Sequence, residues 1–171
     1  MTRNTQDVGD ESEKMRLLKI VVMLIAILSF VSVANASKSS TGTGSFTATS
    51  TVVNMHSAGP NTVFDSNVSF TATGLFAGTC VGPSHSVSLS NGQSSTHGSC
   101  TFTGSIGENS GTVIFRIQVM GEGASFQGRF VAGQGTEGLA GVHITGTFQG
   151  MGTGPTTSAG TYSANVQFKP S

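Results

Sequence analysis

Hydrophobic and polar residues alternate along most of the chain after residue 43. A period of two residues is typical of strands that bury one face and expose the other. The clearest run lies over 112–119, where Val113, Phe115 and Ile117 share one face. The other runs lie over 46–52, 68–73, 87–89, 100–103, 126–130, 142–148 and 162–168. Turn signals separate them: AGPN, SNGQSS, GENSG, GEGAS and GTGPTTSAG. No segment after residue 36 carries a helical stripe, so the pattern predicts an all-β protein.

Eight short strands with one apolar face favour a single closed antiparallel eight-stranded barrel, because closure removes exposed strand edges. Two other architectures share the alternation, a β-sandwich and a transmembrane barrel whose apolar face points outward. The chain has no Trp, one Tyr and many Gly and Thr residues, so it lacks the aromatic girdles of a transmembrane barrel. We therefore expect a water-soluble barrel domain over 44–171, after a polar lead-in over 37–43.

The start of the chain has the pattern of a secretory signal peptide. Arg16 and Lys19 precede an apolar run over 20–33, and the small-x-small sequence ending at Ala36 comes directly before Ser37. The apolar run is shorter than the ~20 residues that a helix needs to cross a bilayer. The pattern predicts that 1–36 are leader and signal helix, cleaved between Ala36 and Ser37, and that the protein is secreted or periplasmic.

Two alternatives stay open for this segment. The acidic leader over 1–14 is unusual for a signal peptide, so translation could start at Met15 instead of Met1. The other alternative is that residues 17–34 are retained as a membrane anchor, which would be the protein's one contact with the membrane.

Composition narrows the class of protein. Eight basic and eight acidic residues give a net charge of zero, so no basic surface for nucleic acid is expected. Only 9% of the residues are charged, but eleven Phe residues in regular positions indicate a folded core instead of a disordered chain. No cofactor is predicted, and the oligomeric state is not indicated.

Cys80 and Cys100 are the two cysteines of the chain. In an exported protein, pairing is the default, and the bridge would close a loop worth ~3 kcal/mol in the chain-entropy model. The weaker alternative is a metal or nucleophile role, but the chain has no CxxC motif.

A glycine-rich stretch, GQGTEGLAGVHITGTFQG, covers 133–150. A phosphate-binding loop would have to open a helix, and a strand pattern follows instead. Gly133, Gly135 and Gly138 would permit positive φ in a tight turn. Gly141 and Gly146 would mark a bend or a close backbone approach within a strand. We interpret the stretch as a structural corner.

GTEGLAGVHITGTF, over Gly135–Phe148, resembles the strand-turn-strand signature G-[ST]-G-x-[LF]-x-G-x-x-G of allene-oxide-cyclase-like β-barrels. This superfamily includes plant cyclases, dirigent proteins and a bacterial group of unknown function, and the chain is most similar to the bacterial group. The preceding segment GTVIFRIQVMGEGASFQGRFVAGQG has the same order of elements. Glu137 stands where the family commonly has glycine. The resemblance implies a barrel fold. It implies no catalytic residue in this chain, because the motifs around the catalytic residues of the cyclases have no match here.

Strand parity places no carboxylate or guanidinium in the interior. Arg116 and Arg129 fall on the polar face, and Asp65 is out of phase with the apolar positions of its run. Tyr162 is in phase with apolar neighbours, so it is the one weak catalytic candidate; the alternative is a core tyrosine whose hydroxyl reaches a backbone carbonyl. Ser50 is a second inward hydroxyl with the same alternative.

The four histidines do not predict a metal site. His56, His85 and His97 are expected in loops, and His143 on a polar strand face, with no HxH or HExxH spacing. No nucleophile elbow is present, because GxSxG needs a strand-to-helix turn.

Small and aromatic residues share the interior face, so they could line a pocket for one small apolar ligand, or pack as a tapered core. The candidate cavity residues are Phe46, Phe70, Phe102, Phe115, Phe148 and Tyr162. Three functional hypotheses follow: a binder of a small apolar molecule, a cyclase or isomerase of a lipid-like or phenolic substrate assisted by Tyr162, and a surface interaction module that uses the Thr/Ser face.

Overall fold

The computed structural model describes residues 39–169. The described part contains eight strands and one short 3-10 turn, so the predicted all-β class is confirmed. The strands are β1 (Ser39–Ala58), β2 (Asn61–Gly74), β3 (Phe76–Ser88), β4 (Gln93–Ile106), β5 (Asn109–Glu122), β6 (Ser125–Gly133), β7 (Val142–Gly152) and β8 (Thr157–Phe168). The 3-10 turn is Glu137–Leu139. The predicted signal helix and its cleavage between Ala36 and Ser37 lie outside the described residues.

The strands form an antiparallel ring. Each strand pairs with the next along the chain, and β1 also pairs with β8, from Ser39 opposite Gln167 to Thr49 opposite Thr157. The ring is barrel-like, and all eight strands have a partner on both sides. Closure therefore satisfies the backbone groups that would form two exposed edges in an open sheet.

Interior aromatic rings lie over glycines of neighbouring strands. In the strand register, each of five rings stands directly opposite a glycine, and a Cβ on that glycine would overlap the ring. The pairs are Phe46 with Gly160, Phe126 with Gly150, Phe130 with Gly146, Phe148 with Gly128, and Tyr162 with Gly44. The ring covers the backbone that the glycine leaves bare, which is a known device for tolerating glycine in a sheet. The abundance of glycine thus serves the packing of large aromatic residues.

The two ends of the ring differ. The β1–β2, β3–β4, β5–β6 and β7–β8 turns meet at one end, which we call the hairpin end. The opposite end is filled by a cluster of aliphatic side chains with exposed fractions of 0–4%. These are Ile106, Val113, Leu139, Val142, Ile144 and Val166, which we call the aliphatic plug.

The glycine-rich stretch builds part of this plug. The 3-10 turn is tied to β5 by the N–H of Thr136, which donates to the carbonyl of Thr112 at 2.9 Å, and it places Leu139 in the plug with no exposed surface. A Cβ at Gly135 would collide with the carbonyl oxygen of Leu139. The predicted structural corner is therefore present, and glycine is required in it for a close backbone approach.

The backbone of the corner differs in detail from the prediction. Positive φ angles occur at Gln134 (60°), Glu137 (53°) and Gly141 (71°), and not at Gly133, Gly135 or Gly138. Glu137 takes the left-handed conformation although glycine would adopt it at lower cost. Gly141 lies just before β7 and not within it.

Other sequence predictions were wrong in extent. His56, His85 and His97 lie in β1, β3 and β4, not in loops. The neighbours of His85 and His97 are small or polar, and they pair through the backbone without an apolar face. β3 begins at Phe76, well before the predicted run over 87–89. Val52 is in phase with Phe46 and Ala48 in the predicted run over 46–52, but it is 51% exposed beside a register shift between Val52 and Asn54. A bulge of this kind bends the strand and changes which side chains face inward.

Candidate functional site

The interior of the ring contains a small cavity with a wholly apolar wall. Its volume is about 80 Å³, and seven Phe rings, Tyr162, Ala72, Ile117 and the cystine line it. The wall includes all six predicted cavity residues: Phe46, Phe70, Phe102, Phe115, Phe148 and Tyr162. They meet because every second residue of a strand points to the same face and the ring brings those faces together.

The volume limits what this cavity can hold. Pockets for drug-sized ligands have volumes of roughly 300–1,000 Å³, and a cavity of about 150 Å³ accommodates benzene. A second cavity of about 50 Å³ lies beside the first and shares Phe70, Cys100 and Ile117 with it. In this conformation each cavity therefore admits a molecule of only a few heavy atoms, unless a shared side chain moves.

Tyr162 has its hydroxyl in two backbone hydrogen bonds. The N–H of Phe76 donates to Oη at 2.8 Å, and Oη donates to the carbonyl of Thr73 at 2.9 Å. The ring stacks on Phe76 with a centroid distance of 4.7 Å and an interplanar angle of 3°. Burial raises the pKa of the Tyr162 phenol, against the opposing effect of the Phe76 N–H. The two hydrogen bonds tie β8 to the β2–β3 turn, and burial favours the neutral form of the phenol.

Ser50, the second predicted inward hydroxyl, lies half-buried on β1, and its backbone N–H donates to the carbonyl of Thr156 at 2.8 Å. No polar residue lines the main cavity apart from Tyr162. In residues 39–169, the charged side chains lie on the outer face or in turns, as strand parity predicts. The interior is thus suited to apolar contact.

Cys80 and Cys100 form a disulfide with a Cα–Cα distance of 5.5 Å, which confirms the predicted pairing. The bridge joins β3 to β4 and forms part of the cavity wall. A disulfide of this kind indicates a non-reducing environment of the extracellular type. Within residues 39–169, no helix has the length and apolarity to cross a membrane.

The outer face carries a polar row that sequence patterns alone did not reveal. Asp65, His85, His97, Gln118 and Arg129 stand opposite one another across β2, β3, β4, β5 and β6. His85 Nδ1 donates to Oδ1 of Asp65 at 2.7 Å, and Arg129 Nε donates to Oε1 of Gln118 at 2.7 Å. The row could not be found without the register, because each residue comes from a different strand.

The acidic end of this row has a perturbed carboxyl group. The hydrogen bond from His85 lowers the pKa of Asp65 below its usual value, and a bond from the Asn54 amide adds to this effect. His85 and Asp65 are both well exposed, with side-chain fractions of 57% and 41%. Among the described residues, no group of three His, Cys, Asp or Glu side chains is placed to bind a metal ion.

Comparison with known proteins supports the fold and assigns no activity. No protein-family profile matches the chain, and no curated protein matches it significantly. A solved structure from Shewanella oneidensis MR-1, a protein of unknown function from the DUF3224 family, is similar with a TM-score of 0.64 and 16% sequence identity. The match covers 78% of this chain and all of that chain. At this identity the similarity shows the fold alone.

Proposed function

We propose that this chain is an exported, closed β-barrel of the allene-oxide-cyclase-like superfamily that binds a small apolar molecule in its interior without catalysis. The signal-peptide pattern before Ser37 and the cystine support export. The ring topology and the signature over Gly135–Phe148 support membership of the superfamily.

The observation that carries the binding proposal is the aromatic wall of the interior cavity. A cavity lined only by apolar side chains stays dry, so a ligand that enters it displaces no strongly held water. The hydroxyl of Tyr162 already bonds two backbone groups, so it supports the fold and not a reaction.

Phe70 is the aromatic ring among the three residues, with Cys100 and Ile117, that line both cavities. It is half-buried, it lies between the cavities of about 80 and 50 Å³, and it lines both. Rotation of Phe70 would join the two spaces. Because the two spaces together are smaller than the roughly 150 Å³ that benzene occupies in a cavity, a ligand of that size also needs part of the volume that the Phe70 ring fills, at the cost of the displaced ring contacts.

Benzene titrated into methyl-labelled protein tests the proposal by NMR. The methyl resonances of Ala72 and Ile117 should shift, and Phe70→Ala should strengthen binding because the ring no longer has to move. Ala72→Ile should weaken binding by filling the cavity. Ala77→Ile is the matched control, because Ala77 is exposed on the neighbouring strand.

Absence of interior shifts at saturating benzene, or equal effects of the Ala72 and Ala77 substitutions, would show that the interior is only a packed core. Native mass spectrometry of protein purified from its own host adds a second readout. A co-purifying apolar mass, lost in Ala72→Ile, is the expected result.

A further inference from the structure

The outer face opposite the interior cavity carries a cluster of basic and amide side chains, which we call the basic row. It consists of His85, His97, Arg116, Gln118 and Arg129, on the four adjacent strands β3 to β6. Neighbouring strands lie about 4.8 Å apart, so the row spans roughly 14 Å from His85 to Arg129. The side chains of the basic row point away from the interior cavity, because alternate residues of a strand face opposite sides of the sheet.

The charge of the basic row is not balanced locally. Arg116 and Arg129 are the two arginines of residues 39–169, and in this part of the chain neither forms a salt bridge with a carboxylate. Three glutamates lie away from the row, Glu108 and Glu122 beside strand turns and Glu137 in the 3-10 turn. The one nearby carboxylate, Asp65, is bonded to His85 at the far end. Two permanent positive charges therefore lie on the exposed outer face, one on each of the neighbouring strands β5 and β6.

The guanidinium of Arg129 is also oriented. Its Nε donates to Gln118 Oε1 at 2.7 Å, which restrains the side chain and leaves both terminal nitrogens as hydrogen-bond donors. A planar guanidinium with free N–H groups can bind a carboxylate through two parallel hydrogen bonds. The geometry thus suits an acidic ligand more than a neutral one.

The residues around the basic row indicate which kind of acidic ligand this surface would bind. The row lines a depression of about 940 Å³, and a second depression of about 1,100 Å³ adjoins it, with Gln118 and Arg129 common to both. The second depression is lined mainly by uncharged hydroxyl and amide side chains. Those include Thr43, Ser45, Thr73, Gln127, Thr147 and Gln149. A ligand that fills both depressions would meet the arginines with carboxylate groups and the remaining surface with hydroxyl groups.

We propose that this outer surface binds a carboxylate-bearing acidic polysaccharide, with Arg116 and Arg129 as the anion-binding residues. An extended acidic peptide fits less well, because it would bind by adding a strand to a free sheet edge and the ring has no such edge. Nucleic acid fits less well because the surface offers no exposed aromatic ring for base stacking and the chain has no net positive charge.

Calorimetric titration with oligogalacturonate at low salt tests the proposal, with the fully methyl-esterified oligomer of equal length as the neutral ligand. The acidic oligomer should bind, the ester should bind at least tenfold more weakly, and added salt should weaken the acidic complex. Arg116→Gln and Arg129→Gln should each reduce affinity about tenfold, as expected for the loss of a charged hydrogen-bonding group. Lys169→Gln, which removes an exposed positive charge outside the row, should leave affinity unchanged.

Far-UV circular dichroism and retention of the cystine verify that the variants are folded. Four results would overturn the proposal: no binding of the acidic oligomer, equal binding of the ester, equal losses for Lys169→Gln and the arginine variants, or equally tight binding of poly-glutamate. The last result would identify an acidic peptide as the partner.

Discussion

Replacement of Gly160 by alanine should destabilise the protein substantially. The added Cβ would lie 2.7 Å from Cζ of Phe46 and would also meet the carbonyl oxygen of Gln149. Carbon atoms pack best at about 3.5–4.0 Å, so the Phe46 ring must move, and the carbonyl belongs to the neighbouring backbone, which yields less easily. Overpacking of this kind costs about 1–3 kcal/mol, and the backbone obstacle places Gly160→Ala near the top of that range.

The unfolded chain offsets part of this cost. Alanine in place of glycine restricts the unfolded state, which adds about 0.5–1 kcal/mol of stability where the native conformation tolerates it. The net loss should therefore be about 2 kcal/mol in the free energy of unfolding. Guanidinium titration followed by far-UV circular dichroism measures it, since the chain has no tryptophan to report by fluorescence.

Gly133→Ala is the matched control for this experiment. Gly133 also lies in a strand, but the nearest atom to its added Cβ is 3.8 Å away. The control should be neutral or slightly stabilising. Phe46→Leu combined with Gly160→Ala should recover part of the loss, because the smaller side chain leaves room for the methyl group. If Gly160→Ala and Gly133→Ala were equally stable, the pairing of rings with glycines would not explain the glycine content.

Three further predictions concern the disulfide and two titrating groups. Simultaneous Cys80→Ala and Cys100→Ala should lower the free energy of unfolding by about 3 kcal/mol, and labelling of either thiol in the folded, non-reduced wild type would contradict the bridge. Tyr162→Phe should cost about 1–3 kcal/mol, since it leaves the buried N–H of Phe76 and the part-buried carbonyl of Thr73 without this partner. Because the pKa of Tyr162 is raised in the folded state, its contribution to the free energy of unfolding is complete below the unfolded pKa of 10.0 and is lost as the pH rises above that value. The difference in stability between wild type and Tyr162→Phe should therefore narrow at high pH. Absorbance at 295 nm follows the titration of this single tyrosine. Asp65 should titrate below 3.8 by carboxyl NMR, and its pKa should rise in His85→Ala; an unchanged titration would remove the hydrogen bond as the cause.

Much of the architecture was predictable because it follows from side-chain alternation. The buried faces of β5 and β8, the inward position of Tyr162 and the outward positions of Arg116 and Arg129 all follow from a period of two residues. The pairing of the cysteines was predictable from the chain's having two of them and an export signal pattern. The local sequence was sufficient to predict which side chains face the interior, because neighbouring residues of a strand point to opposite faces.

Prediction was poorer where the outcome depends on the partner strand. His85 and His97 lie among serine, threonine and glycine, so these segments of β3 and β4 carry no apolar signal, and pairing with neighbouring strands extends the strands through them. The volume of the interior cavity depends on how Phe70 and Ile117 pack against rings from distant strands. The polar row from Asp65 to Arg129 exists only in the register, since one residue comes from each of its strands. Pairwise alignment across the sheet is not encoded in the periodicity of any single segment.

The junction between β1 and β8 affects how the molecule reaches its native state. These two strands are at opposite ends of the described sequence, and they supply two adjoining walls of the interior. Contacts between residues far apart along the chain are slow to form, because the intervening segment must be ordered first. A nascent chain that lacks Thr157–Phe168 has two open edges and an uncovered aromatic interior, so completion of the C-terminal strand is the step that makes assembly all-or-none.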